Sequence, residues 1–322
     1  MSNYSGNIQS NAIYRTKFIL LLLFSIPSVI CALYVVYNVV KLRSFRRRFQ
    51  NQILIILVFI ILFNIVFNIP TSFSFFVRGT VAIHTEWFCR FWQSIDYFLT
   101  ACVLWCTAIF TIQRYIFVFY PIYIRSKRQK LIFHYIPLVL INIYLLLFYV
   151  LTISIDICHN GKHREIIYDK FLCGENCLDR EGGISMFNWL FNILFPVFIV
   201  ILGSLMLLIR VLWTRRKMQR NLRNWSKNWK MISQLLGIAL IYTLVWIPLI
   251  IVSFILIVNE NHAFSKSVED YLYFITYLCE LCVPIVVLLL SSELIQSLNR
   301  RIWPNFNSMQ SVTIGPYSTN VE

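Results

Sequence analysis

The sequence predicts an all-α integral membrane protein: a bundle of seven transmembrane helices followed by a short amphipathic helix. Three observations carry this reading. Seven mostly apolar stretches are long enough to cross hydrocarbon, which takes about 20 residues: 18–40, 52–77, 88–119, 131–155, 184–213, 231–258 and 268–290. Of the 322 residues, 58% are hydrophobic and 13% charged, about half the charged share of a soluble domain. The basic residues, lastly, collect in alternate loops.

The first stretch has the place of a secretory signal. It is longer than a signal core, and no small-residue cleavage site stands out near its end, so it reads as a retained span. Lys and Arg set the orientation of such a bundle, because they stay on the cytoplasmic side. Of the 29 in the chain, 20 fall after spans 1, 3, 5 and 7 or at the helix ends there, with Arg46–Arg48 and Arg215–Lys217 the densest runs. Ten acids fall on the opposite face. The amino terminus is therefore expected outside and the carboxyl terminus in the cytosol, in a multi-pass protein of the plasma membrane. The division is 1–17 as an external amino-terminal segment, 18–291 as the bundle, 292–303 as the amphipathic helix on the lipid surface, and 304–322 as a cytoplasmic tail. The net charge of +15 is explained by this placement, so membrane lipid is the expected neighbour and no nucleic-acid partner is expected.

Cysteines divide in the same way. Cys31, Cys102, Cys106, Cys279 and Cys282 lie within apolar runs, whereas Cys89, Cys158, Cys173 and Cys177 lie at the outer face. Their clustering there suggests an oxidising compartment. Asn3-Tyr4-Ser5 is an N-glycosylation acceptor on the same side, which makes Asn3 a candidate. Cys158, His159, His163 and Cys173 match no standard metal spacing, so no metal and no cofactor is expected.

The third span is the most informative. It runs from Cys89 through Asp96 to Gln113, Arg114 and Tyr115. Asp96 and Arg114 are 18 residues apart, about five helical turns, which puts them on one face roughly 27 Å apart. One stripe thus carries an outer anchor, a buried acid and a cation at the cytoplasmic edge. Asp96 and Glu280 are the acids within the bilayer. A charge there costs about 2.5–3.5 kcal/mol on insertion scales, so each is expected to face the bundle and find a partner.

At these residues the chain resembles the rhodopsin-like (class A) G protein-coupled receptors. Their third helix has a cysteine near its outer start and an acid-Arg-Tyr triplet at its inner end. Trp246-Ile247-Pro248 is similar to the family's hinge, and Pro196 and Pro284 stand where its fifth and seventh helices carry prolines. The resemblance covers all seven spans. It implies a receptor and not an enzyme, with an extracellular ligand of unknown class in the outer half of the bundle and a heterotrimeric G protein at the cytoplasmic face. Gln113, Arg114 and Tyr115 would then face the G protein, and Trp246, Pro248, Pro284 and Pro196 would form the activation hinge. Asp96 would hold a cationic ligand group with Tyr277, while Trp246, Asn188 and Asn192 would line the pocket. The alternative for Asp96 is a structural hydrogen bond to Tyr277 without a ligand role. The resemblance also implies a disulfide from Cys89 to the loop before span 5. Cys177 is the first choice of partner and Cys173 the second, with Cys158 and Cys173 left as a further bridge in the first case.

Ligand class stays open between amine and peptide. Leu249 and Ile250 follow the hinge where amine receptors carry aromatics, and the loop acids Asp169, Glu175, Asp179 and Glu181 would suit a basic peptide. Span 7 has no lysine for a retinal Schiff base. Departures gather in the signalling machinery: Gln113 replaces an acid, Val283 and Val287 replace Asn and Tyr around Pro284, and Ser204 replaces a tyrosine. Span 2 carries Asn64 and Asn68 but no acid, which implies loss of the family's sodium pocket. Because Gln113 can hydrogen-bond Arg114 without a charge, the resting state is expected to be weaker and basal activity higher. The alternative class is a transporter or channel, which would be expected to show paired intramembrane charges or an inverted repeat. A membrane enzyme would need a ligand cluster or nucleophile–base pair, and His134 is the one histidine inside a span.

Overall fold

Hydrocarbon offers backbone N–H and C=O groups no partners, so a spanning chain must satisfy them within itself, as a helix does. The computed structural model describes residues 2–41, 49–119, 126–154, 166–174, 178, 182–217, 222–258, 263–290 and 294–295. Among them there is no strand, and seven helices are long and apolar enough to cross a membrane. We number them α1 (Ser2–Lys41), α2 (Phe49–Arg78), α3 (Glu86–Phe119), α4 (127–154), α5 (182–217), α6 (Leu222–Val258) and α7 (Ala263–Leu290).

Helix ends outrun the apolar stretches. α1 starts at Ser2, within the segment expected to precede the first span, and α6 starts at Leu222, nine residues before the predicted 231. Beyond the bilayer no apolar requirement marks a stop; a helix continues until a breaker intervenes. Of the segment expected as an amphipathic helix, Leu294 and Ile295 are described, both helical, and Tyr34 of α1 donates to the Leu294 carbonyl at 3.5 Å. The rest of 292–303, the tail, Cys158, Cys177 and the Asn3 side chain lie outside the described residues.

α4 and α5 are not uniformly α-helical. α4 has π-helical turns at Leu131–Tyr135 and Val150–Ser154, and α5 has one at Asn188–Leu194. Pro137 and Pro196 each come second in the α-helical segment that follows a π turn. Proline lacks an N–H and its ring presses on the carbonyl four residues back; a wider π turn is one of the local adjustments that accommodates it.

The ring closes by contacts of α1 with α2 and α7, α2 with α3, α5 with α6, and α6 with α7. α3 also meets α4 and α5, which makes it the central post and the most enclosed span. Close approach of α3 and α5 depends on Gly203, where an added Cβ would lie 2.6 Å from the Thr111 methyl. Leu57, Ile61, Leu104, Phe110, Tyr242 and Trp246 fill the main core. Side chains such as Leu244, Ile209 and Val40 point outward, as a surface solvated by lipid tails requires.

Candidate functional site

Asp96 lies on α3, facing Asn68 of α2 and Tyr277 of α7, and it is fully buried. Its Oδ1 accepts two hydrogen bonds, from Asn68 Nδ2 at 2.5 Å and from Tyr277 Oη at 2.6 Å. Trp92, one turn before Asp96, donates its indole N–H to Asn68 Oδ1 at 2.8 Å, which turns the Asn68 amide so that its NH2 faces the acid. Bonds to a charged group contribute about 1.5–3 kcal/mol each, enough for two of them to offset the insertion cost of about 2.5–3.5 kcal/mol. Oδ2 is buried and accepts no hydrogen bond from the described residues. One oxygen is thus committed to the scaffold, and the other has no partner among the described residues.

The second acid repeats the pattern one layer deeper. Asn64, a turn below Asn68 on α2, donates to Glu280 Oε2 at 2.6 Å. Glu280 in turn follows Tyr277 by three residues and so shares its face of α7. Asn64, Asn68, Asp96, Tyr277 and Glu280 are all buried, forming a two-tier polar seam between α2, α3 and α7. Because glutamine offers the same acceptor to Asn64, Glu280→Gln is expected to change stability by less than about 1 kcal/mol. Glu280→Leu strands the amide and is expected to cost about 1–3 kcal/mol, read as a lowered unfolding midpoint in detergent micelles.

Above the seam sits the turn Phe171–Cys173, whose Cys173 is bonded to Cys89. The sequence reading placed Cys177 first, and that preference is corrected; with Cys173 engaged, a Cys158–Cys173 bridge is excluded too. Local packing explains the choice. Phe171 is centred 5.2 Å from Phe76 in a stack, 5.5 Å from Trp92 and 6.0 Å from Tyr277. Gln93 Nε2 donates to the carbonyls of Leu172 and Gly174 at 2.5 and 3.1 Å. Both anchors pull the turn down onto the head of α3, where Cys89 lies. Leu172 and Cys173 have φ of 54° and 59°, a left-handed region that costs a non-glycine residue of order 1–3 kcal/mol and persists where surrounding contacts over-determine it. Phe171 thereby roofs Tyr277, which bonds Asp96, and Trp92, which orients Asn68.

Not every expected pocket residue faces this seam. Asn188 and Asn192, on the π turn of α5, accept from the hydroxyls of Tyr149 and Tyr144 of α4 at 2.9 and 3.1 Å, and Asn192 Nδ2 donates to Asn188 Oδ1. They tie α4 to α5. Trp246 is buried in the core of α6 and Pro284 is buried in α7, while Pro248 is exposed. Sequence reasoning missed Asn68 as a partner of Asp96, Trp92 as the partner of Asn68, and Asn64 as the partner of Glu280. Two buried acids without a nearby base, and two asparagines one turn apart in an otherwise apolar span, were the available signal.

At the other end of α3 the triplet is held by its neighbours. Gln113 does not turn to Arg114 as expected: its Oε1 lies 2.7 Å from His134 Nδ1, and its Nε2 donates to the Phe133 carbonyl at 2.9 Å, both on α4. Arg114 is buried with its guanidinium 4.1 Å over the Phe110 ring. Arg210 of α5 donates to the Tyr115 hydroxyl at 2.6 Å. α3 is therefore gripped by α4 through Gln113 and by α5 through Tyr115.

The sequence matches the seven-transmembrane receptors of the rhodopsin family over residues 31–286, more than half of the chain, and the chain belongs to that family. It is a receptor, not an enzyme, and a multi-pass protein of the plasma membrane whose class works between an extracellular ligand and a G protein. None of the curated proteins matches it.

Proposed function

We propose that the chain binds an extracellular ligand bearing a cationic group, an amine or a basic peptide, in the half of the bundle nearest the amino terminus. In this reading Asp96 receives the cation, and ligand entry activates a heterotrimeric G protein at the opposite, cytoplasmic face. The observation that carries it is the division of labour at Asp96: Oδ1 is held by Asn68 and Tyr277, while Oδ2 accepts no bond from the described residues. A purely structural aspartate gains nothing from a buried, unsatisfied oxygen, which costs about 1–3 kcal/mol. A cation satisfies it.

Phe171 and Trp92 give the ligand an aromatic approach to Asp96, and aromatic faces attract cations. Trp246 and Pro248 serve as the hinge of α6, with Pro196 and Pro284 as those of α5 and α7. Gln113, Arg114 and Tyr115 present the coupling surface. Asn188 and Asn192 act on the pocket through α4, by fixing Tyr149, whose ring is centred 6.1 Å from Tyr97 next to Asp96. The excess of Lys and Arg after the odd-numbered spans and the disulfide near the amino-terminal end both support an external amino terminus, where Asn3 is a glycosylation site. Nucleotide exchange on co-expressed G proteins, with panels of amines and of basic and acidic peptides, tests the reading. Agonists are expected to share a cationic group; agonists that are uniformly neutral or anionic overturn it.

A further inference from the structure

The first π turn of α4 is built around one residue. In the π-helical stretch Leu131–Tyr135, His134 is completely buried while Leu131, Ile132, Phe133 and Tyr135 are all exposed. π turns are rare and concentrate where a side chain must be re-aimed for a role. Here the re-aimed side chain meets Gln113, which precedes Arg114. The donor–acceptor pattern is determined: Gln113 Nε2 donates to the Phe133 carbonyl, so its Oε1 is the atom facing the imidazole, and an oxygen can only accept. His134 must therefore carry its hydrogen on Nδ1. Both polar ends of the Gln113 side chain are used, and both partners lie on α4. The next residue, Tyr135, extends the attachment to α2, donating its hydroxyl to Gln52 Oε1 at 3.0 Å.

We propose that His134 is a positioning residue for G-protein coupling: through Gln113 it holds the cytoplasmic end of α3, and with it Arg114, in the resting arrangement. The resting state is thus locked between two helices instead of within the triplet. This inference rests on the coupling role assigned to Arg114, and it replaces the expectation that Gln113 restrains Arg114 directly. Loss of the imidazole removes the bond to Oε1 and leaves a buried acceptor exposed to whatever the cytoplasmic end can rearrange to offer. Ligand-independent activity is the readout.

The experiment measures nucleotide exchange on co-expressed G proteins without ligand, scaled to surface expression, for the native chain, His134→Phe, His134→Asn, Gln113→Leu and His134→Phe with Gln113→Leu. His134→Phe is expected to raise basal exchange about two- to tenfold, the range that one hydrogen bond confers on a two-state equilibrium. His134→Asn, whose amide N–H can replace Nδ1–H, is expected to restore the native level, and the double variant to match the single ones. Native-level exchange in His134→Phe, or additive effects in the double variant, overturns the proposal. The same set is unfolded by heat in detergent micelles, a readout that needs no G protein. Should no variant and not the native chain stimulate exchange, the coupling reading fails. The thermal cycle then decides the contact alone, with non-additive midpoints supporting the latch and additive ones refuting it.

Discussion

Replacing Asp96 with asparagine is expected to weaken the binding of a cationic agonist by about a hundredfold or more. Removing one partner of a buried ion pair costs about 3–5 kcal/mol, since the other charge stays desolvated and unmatched, and each 1.4 kcal/mol is a factor of ten. The fold has no reason to fail. Asparagine keeps an Oδ1 that can accept from Asn68 and Tyr277, whose bonds at 2.5 and 2.6 Å are the scaffold's part of the site. Tyr277→Phe removes one of those bonds and leaves the charge, so its effect is expected to be several-fold only. Competition binding with an agonist obtained from the amine and peptide panels compares the two. Equal affinity for native and Asp96→Asn proteins would reduce Asp96 to a structural residue bonded to Tyr277.

Spans were legible because the bilayer imposes one rule, a run of apolar residues about 30 Å long, and composition records it directly. Their ends were not: outside hydrocarbon α1 and α6 continue through polar sequence such as Asn7-Ile8-Gln9 and Arg223-Asn224. The π turns left a trace in Pro137 and Pro196, yet proline marks a strain without saying how the helix relieves it. Asp96 with Tyr277 was legible by resemblance, and their bond is present. The partner Asn68, and its bond from Trp92, depend on how α2 is rotated about its axis, which no spacing within one helix records. Asn188 and Asn192 show the same limit. Their one-turn spacing predicts a shared face, and they share one, but it is the face toward the tyrosines of α4.

Gln113 illustrates a different reason. Read alone, a glutamine beside Arg114 suggests a neutral substitute for an ion pair within one helix. Its side chain instead bonds across to α4, because the π turn at Leu131–Tyr135 carries His134 inward to meet it. A change at position 113 is then compensated 21 residues away. Local sequence cannot reveal that compensation, since it lies in the helical phase of a different span.

The disulfide offers the second large effect. Cys89 and Cys173 close a loop with a sequence separation of 84, for which the chain-entropy treatment gives about 4.5 kcal/mol. That is an upper bound here, because inserted helices at both ends already confine the unfolded chain. An effect of about 2–4 kcal/mol is expected, within the usual range for removal of a native bridge. Leu172 and Cys173 are left-handed, so without the bond the turn can relax, which offsets part of that loss, and Phe171 loses its fixed seat over Trp92 and Tyr277. Cys89→Ala, Cys173→Ala and the double variant are therefore expected to share one lowered unfolding midpoint and one lowered surface level, and to bind agonist more weakly. Cys177→Ala is expected to keep the Cys89–Cys173 peptide pair intact in mass mapping under non-reducing conditions. A Cys177→Ala protein whose Cys89 becomes a free thiol, with Cys173→Ala indistinguishable from native, would assign the bridge to Cys177 and remove the restraint on which the seating of Phe171 depends.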